Sequence, residues 1–528
     1  MSTAQMAAQP VGEGFAPYVW APGVDDVAAR HGVAPEHVLK FDQNTPPLPG
    51  VPQVPLAESM AKLSQYPDGS YRELRAAAAG YAGLASENVV VGAGADDLIL
   101  LLAQVFLGPG RRAAIASPTY ALYRIATTLH GATAVGPEEE AELAWICNPN
   151  NPTGSWVEPE EIVELARRRS GTLVVVDEAY VEYGARSCAP WVDELENLVV
   201  VRTLSKAFGF AALRVGYALA HPETATLLTE RRAPAPIAGP SAAIAAAALR
   251  EPRLGDVETT IAERERMRSA LVASGFDCPP SATNFVFVPT DEPLADELER
   301  QGIVVRCFPG AIRVTVRRPS ENDVLLRALG VEPGPTPGRE ATVLRTTTET
   351  ALRLTVALEG TGRTRVETGI GFLDHLLTLF AFHAGFELEL LAGGDLDVDE
   401  HHTVEDVHAA LGAAIAQALG TREGVARYGS AVVPMDEARA TAAVDLVRRP
   451  HAEVALTFAS DRVGALAVSL LRHALERFAI EAGCTVHVES AGADDHHVAE
   501  AAYKALGQAF RQAVAPGGAG IRSTKGAA

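Results

Sequence analysis

The chain is short of lysine. Five lysines (40, 62, 206, 504 and 525) stand against forty arginines, so a retained lysine marks a place where an amine is wanted and not merely a positive charge. Positive charge as a whole is scarce: 45 Lys and Arg face 66 Asp and Glu, the net charge is −21, and both sides of Glu340 are acidic. This argues against a nucleic-acid backbone or an anionic membrane as partner. The five cysteines (147, 188, 278, 307, 484) are odd in number and show no CxxC spacing, which fits reduced thiols and not a disulfide framework. No uncharged apolar run reaches the ~18 residues of a membrane helix, and LILLLAQVFL at 98–107 reads as a buried core segment. The opening MSTAQMAAQPVGEGF has neither the basic nor the apolar region of a secretory signal, so a cytoplasmic protein is expected. HExxH is missing, which leaves a zinc-protease reading without support.

What is present points to several domains. A length of 528 residues predicts two to four of them, and 48% hydrophobic residues suffice for their cores. Residues 332–339, rich in Pro and Gly, read as a linker between a domain at 1–331 and one at 340–528. Before it, helical stretches at 58–83 and 241–249 alternate with the apolar runs NVVVGAG, RRAAIASP, LAWICNP, TLVVVDEAY and NLVVVRTLSK. Continuous runs of this kind suit parallel strands covered on both faces, so an α/β fold is predicted with its functional residues just after the strand ends. After the linker the chain repeats itself. FLDHLL and LLRHAL place His375 and His473 98 residues apart, and HHTVE (401–405) and HHVAE (496–500) are separated by 95, as expected of a duplicated α+β half. GDLDVDE reads as a half-exposed strand leading into an apolar-striped helix that opens with His401.

In the N-terminal part the motifs Tyr66-Pro-Asp, GAGADD (92–97), SPTY (117–120), NPNNPTG (148–154), DEAY (177–180) and SKAFG (205–209) follow in order. Together they resemble the fold-type-I aminotransferases that use pyridoxal phosphate, and within these the histidinol-phosphate aminotransferases, over residues 15–330. The resemblance implies a large domain with a mostly parallel sheet plus a small domain. It implies that Lys206 joins the cofactor and later serves as general base, and that Asp177 keeps the pyridine nitrogen protonated. Asn151 and Tyr180 would bond the ring hydroxyl, and Tyr120 would stack on the ring. The phosphate would rest on the helix N-terminus at Gly94, Ala95 and Asp96, with Ser205 and Arg214 as further donors. Tyr66 would reach a phosphate in the partner subunit, which implies a dimer. Arg306 and Arg313 would hold the substrate anion, and Asn44 lies in the entrance segment. Two departures stand out: residues 136–145 are shorter than the family's strand-helix crossover, and Arg317-Arg318 replaces its Gly-Thr.

In the C-terminal part, helix positions four apart share a face, so Glu405 can join His401 or His402, and Glu500 can join His496 or His497. Neighbouring histidines point ~100° apart, so one pair serves two ions more easily than one. Six imidazoles and two carboxylates are enough for two ions, and donor softness alone selects no single metal, since such sites suit zinc, iron or nickel. FLDH (372–375), DEHHTVED (399–406), PMDEA (434–438), DDHHVAEAAYKAL (494–506) and STKG (523–526) closely resemble imidazoleglycerol-phosphate dehydratase over residues 342–525. The resemblance implies two manganese ions, with His375, His401, His402, Glu405, His473, His496, His497 and Glu500 as ligands. It implies Glu349 as the acid/base, and Arg427, Arg449, Lys504, Ser523 and Lys525 as the grip on a substrate phosphate. It also implies an assembly of trimers with metal sites completed across subunits. His383, His408, His451 and His487 read as ordinary core or surface residues.

The two resemblances describe consecutive steps of histidine biosynthesis. One bifunctional enzyme is expected, dehydrating imidazoleglycerol phosphate to imidazole-acetol phosphate and then transaminating that ketone with glutamate to histidinol phosphate. Two alternatives keep the dehydratase: an N-terminal half acting on another amino acid by transamination or decarboxylation, or one serving as a non-catalytic scaffold.

Overall fold

The computed structural model describes residues 11–46, 63–334, 338–360 and 362–517. Two compact units emerge, interleaved in sequence: residues 1–22, 40–299 and 303–318 form one, and residues 23–39, 300–302 and 319–528 the other. Among the described residues no helix is long and apolar enough to cross a membrane.

The first unit is built on a seven-stranded sheet: β1 (Val89–Gly92), β2 (Arg112–Ile115), β3 (Thr133–Val135), β4 (Leu143–Cys147), β5 (Leu173–Asp177), β6 (Leu198–Thr203) and β7 (Gly216–Ala220), in the order β1-β7-β6-β5-β4-β2-β3. Only β7 runs against the others; β2 through β6 pair in parallel. The five predicted runs all form strands, and their continuous apolar character follows from burial on both faces, complete in β1, β5 and β6. Helix α1 (Arg72–Ala82) is shorter than the predicted 58–83: residues 63–71 are turn and coil, and 58–62 lie outside the described residues. Helix α2 (Ala95–Phe106) buries Leu98, Ile99, Leu101 and Leu102, which accounts for the apolar run there; α3 (Ala121–Leu129) carries Tyr123, and α4 (Gly239–Arg250) is the helix predicted at 241–249. The shortened crossover is confirmed: residues 136–142 join the parallel strands β3 and β4 without a helix. A smaller antiparallel sheet, β8 (Phe285–Pro289), β9 (Arg306–Phe308) and β10 (Ala311–Thr315), has the order β9-β10-β8 and pairs Arg306 with Arg313.

The second unit holds two four-stranded sheets of the same topology. β11 (Glu340–Thr346), β12 (Thr350–Ala357), β13 (Thr364–Glu367) and β14 (Glu387–Gly394) run in the order β11-β12-β14-β13, and β15 (Tyr428–Met435), β16 (Ala438–Asp445), β17 (His451–Leu456) and β18 (Thr485–Ala491) in the order β15-β16-β18-β17. This is the duplication expected from the sequence. One sheet packs on α5 (Gly371–Ala384) and α6 (His401–Leu419), the other on α7 (Val468–Ala482) and α8 (Asp495–Val514). The helices meet across the halves, α5 on α8 and α6 on α7. Glycine permits this. A Cβ on Gly412 would lie 2.4 Å from the Phe478 carbonyl oxygen, and one on Gly507 would lie 2.5 Å from that of Phe380, so each helix approaches its partner to backbone contact. Both glycines stand eleven residues after the first histidine of their pair. GDLDVDE is not a strand: β14 ends at Gly394 and residues 395–400 form turns, because the sheet-forming run is the preceding ELELLAGG. His37 also belongs to this unit, its Nε2 donating to the carbonyls of Arg345 and Leu352 at 3.1 and 2.9 Å.

Candidate active sites

In the first unit a cavity of about 310 Å³ opens at the carboxyl ends of the parallel strands, where such sheets place ligands. Its wall includes Asn44, Ala95, Asp96, Tyr120, Asn151, Asp177, Tyr180, Ser205, Lys206, Arg214, Arg306 and Arg313, every N-terminal candidate except Gly94 and Tyr66. Tyr66 lies elsewhere and is 94% exposed. Asp177 closes β5 and is buried, which pushes its pKa up to about 6 against hydrogen bonds from the Tyr123 hydroxyl (2.7 Å) and the Ala179 N–H (3.0 Å). Lys206 follows β6. Burial, and then the Arg313 guanidinium, lower its pKa to about 8, and its ammonium donates to the Gln43 carbonyl at 3.2 Å. An amine so placed is easily made nucleophilic.

The polar groups around Lys206 form two sets. Asp96 accepts from the Tyr120 hydroxyl at 3.0 Å and from Arg214 at 2.8 Å. Gly94, at φ 89°, starts α2, and a Cβ there would come within 2.9 Å of the Arg214 guanidinium, so the cradle at the helix N-terminus depends on glycine. Asn151 accepts from Arg313 at 2.6 Å, and Arg313 is flanked by the Phe285 and Phe308 rings. Tyr180 accepts from Asn44 at 2.9 Å. Asn44 is buried and bonds Thr315, so it is part of the cavity wall and not of an open entrance. Tyr18, Trp20 and Thr203 also line the wall and were missed by sequence reading. The aromatics in APYVWAPG are the signal that would have found the first two. A buried carboxylate, an accessible amine, a glycine-dependent helix N-terminus and two arginines fit pyridoxal phosphate with an anionic substrate beside it.

In the second unit the helix contacts across the halves assemble two groups of three donors, His375, His496 and Glu500 in one and His401, His473 and Glu405 in the other, each with ligand atoms within 4.8 Å of one another. Glu500 lies 2.7 Å from His375 Nε2 and 2.9 Å from His496 Nε2, and Glu405 lies 3.2 Å from His473 Nε2. Burial works against ionisation of Glu500, yet hydrogen bonds from His375, Lys504 and His496 hold it down to about 2. The other two histidines are not brought into these groups. His402 Nδ1 meets Asp395 at 3.0 Å, a carboxylate partnership that fixes the ring and leaves Nε2 as the remaining donor, whereas His497 meets Glu437 through Nδ1 at 2.9 Å and Asp436 through Nε2 at 3.7 Å, so these three form a further candidate group. Asp395 and Glu437 were not singled out in the sequence. Imidazole and carboxylate donors of this kind fit a divalent first-row ion.

Glu349 is exposed at the turn between β11 and β12. Lys504 pairs with Glu500. Arg427, at φ 75°, is engaged by Asp445 through Nε (2.7 Å) and Nη2 (3.0 Å), while Arg449 lies exposed beyond β16. Ser523 and Lys525 lie outside the described residues. His408, by contrast, is a core residue bonded to the Val404 carbonyl and the Tyr503 hydroxyl.

Comparison with known proteins finds a family for each part of the chain. The family model for class I and II aminotransferases matches residues 36–329, and that for imidazoleglycerol-phosphate dehydratase matches residues 368–510. The imidazoleglycerol-phosphate dehydratase of Granulibacter bethesdensis is 48% identical over 193 residues, 36% of this chain and 98% of the relative; that of Geobacillus kaustophilus is 46% identical over 191 residues, with the same shares. Among solved structures, histidinol-phosphate aminotransferase from Sinorhizobium meliloti in complex with pyridoxal-5'-phosphate superposes with a TM-score of 0.54 at 27% identity, covering 61% of this chain and 98% of its own. The chain therefore belongs to the class I and II aminotransferases through its N-terminal part and to the imidazoleglycerol-phosphate dehydratases through its C-terminal part, as a fusion of the two.

Proposed function

We propose that this chain catalyses two consecutive steps of histidine biosynthesis, the dehydration of imidazoleglycerol phosphate and the glutamate-dependent transamination of the resulting imidazole-acetol phosphate to histidinol phosphate. The observation that carries this reading is the occurrence in one chain of both constellations, the two His-His-Glu groups and the cavity around Lys206 and Asp177. Functionally we divide the chain at residues 332–339, between an aminotransferase part at 1–331 and a dehydratase part at 340–528.

In the dehydratase, His375, His401, His402, Glu405, His473, His496, His497 and Glu500 would hold two manganese ions, which supply Lewis acidity towards the substrate's imidazole. The carboxylate partner of His402 leaves its Nε2 available to complete the group of a neighbouring subunit, in keeping with a trimer-based assembly, and His497 would exchange Asp436 for the ion. Glu349, its pKa lowered chiefly by the Thr348 hydroxyl, takes up and returns the protons of the elimination. Lys504, Arg427, Arg449, Ser523 and Lys525 bind the phosphate; Arg427 exchanges Asp445 for it or shares it.

In the aminotransferase, Lys206, Asp177, Asn151, Tyr180, Tyr120, Ser205, Arg214 and the backbone at Ala95 and Asp96 would hold pyridoxal phosphate, which supplies an electron sink for the amino-acid carbon. Lys206 moves the proton at that carbon, aided by its lowered pKa. Asp177 holds a proton on the pyridine nitrogen. Arg306 and Arg313, paired across β9 and β10, fix the substrate anion, and exposed Tyr66 reaches the partner's site in a dimer.

Incubating the protein with imidazoleglycerol phosphate and manganese, with and without pyridoxal phosphate and glutamate, tests the proposal by mass spectrometry. Histidinol phosphate that appears only with glutamate supports both steps. Accumulation of imidazole-acetol phosphate under every condition refutes the transamination.

A further inference from the structure

The hairpin that carries Glu349 has an unusual turn. Thr347, Thr348 and Glu349 join β11 to β12 without the Gly, Asn or Pro that ordinarily stabilises a tight hairpin, so something else must set its shape. Side chains do so. The Thr347 hydroxyl accepts from the Glu349 N–H at 3.2 Å and the Thr350 N–H at 3.0 Å. The Glu349 carbonyl accepts from the Asp395 N–H at 3.1 Å. The backbone on both sides of Glu349 is thereby held while its carboxylate stays in solvent.

One residue gathers this network. Asp406, on α6, is buried, and its carboxylate accepts from the hydroxyls of Thr350 and Thr347 (3.3 Å) and from Arg345 Nε at 2.9 Å. These donors flank Glu349 on both strands of the hairpin. Asp406 directly follows Glu405, so one helix turn carries both a donor of the His401 group and the anchor of the hairpin.

We propose that Asp406 is a positioning residue for the dehydratase reaction, fixing the hairpin tip and hence Glu349 relative to the metal-binding helix. This rests on the acid/base assignment of Glu349 made above. A carboxylate on a loose tip would spend little time within proton-transfer reach, and misplacement by about 1 Å can cost up to about a hundredfold in rate.

The test is a double-mutant cycle in the full chain, with Asp406→Asn, which weakens the acceptor, and Thr350→Val, which removes a donor on the hairpin side away from Glu405. Each single variant is expected to lower kcat for dehydration about tenfold, leave KM and bound manganese at wild-type levels, and combine without further loss. Wild-type kcat in both variants, additive losses, or a fall in kcat matched by loss of manganese overturns the anchoring role. Glu349→Gln is measured alongside. If it alone is inactive while the cycle shows no effect, only the anchoring fails; if it retains wild-type kcat, the role of Glu349 fails and the anchoring with it.

Discussion

The Tyr123 hydroxyl donates to Asp177 Oδ2 at 2.7 Å, and the tyrosine ring stacks on Trp145 with centroids 5.3 Å apart and planes 9° from parallel. The stack fixes the donor, and the bond favours the charged carboxylate in a place where burial opposes it.

Tyr123→Phe keeps the stack and removes the bond. Asp177 then protonates at a higher pH than its present value of about 6. Under the role proposed for Asp177 opposite the pyridine nitrogen, the acid midpoint of cofactor release is expected to move up by about one unit. Absorbance of bound pyridoxal phosphate followed from pH 8 to pH 5 measures it; coincident curves for wild type and variant would count against the assignment.

Lys206→Ala is expected to abolish the absorption band of the lysine-linked cofactor and transamination together, while dehydration of imidazoleglycerol phosphate continues at the wild-type rate. A band that persists in the variant would move the linkage to another amine. Lys40 is the lysine to examine next among the described residues of this unit, and it is already engaged by Asp42 at 3.2 Å.

Gly507→Val places a branched side chain where even a Cβ would sit 2.5 Å from the Phe380 carbonyl oxygen. Helices α5 and α8 must separate, at a cost of roughly 1–3 kcal/mol. His375 then withdraws from His496 and Glu500, so the variant is expected to bind less manganese than wild type. Metal analysis after gel filtration reads this directly, and an unchanged metal content would show that the helix contact is not what assembles the group.

His408 contributes a pH-dependent share of stability. Burial lowers its pKa from 6.5 to about 4, the Val404 carbonyl partly offsetting this. The unfolded chain therefore binds this proton first. The contribution is complete above pH 6.5 and is lost as pH falls towards 4, by up to about 3 kcal/mol. In His408→Gln this loss disappears, so the Tm advantage of wild type should shrink between pH 6.5 and pH 4.5; a constant difference in Tm across that range would contradict it.

Much of both sites is legible in the sequence because it rests on local periodicity and on strand ends. The apolar run at 173–176 ends in Asp177, and the run at 198–203 leads into Ser205 and Lys206; once those runs are parallel neighbours, the residues after them must share one edge. The spacing in HHTVE and HHVAE likewise puts each glutamate within reach of either histidine of its pair, and the structure takes the first. Other features were not legible for identifiable reasons. GDLDVDE alternates like a strand but has no neighbouring strand to pair with, so it turns. The partners of His402 and His497 sit on a turn after β14 and on the β15–β16 turn, 7 and 60 residues away.

The sequence by itself determined the inventory: a lysine among arginines, a carboxylate at a strand end, two HHxxE units and two single histidines. Only the tertiary structure decided how that inventory is shared. His375 of the first repeat joins His496 and Glu500 of the second, and His473 of the second joins His401 and Glu405 of the first. Helical periodicity sets which side chains share a face within about one turn, whereas the choice of facing helix depends on long-range packing. Here that packing brings α5 to α8 and α6 to α7 through the close approaches at Gly507 and Gly412.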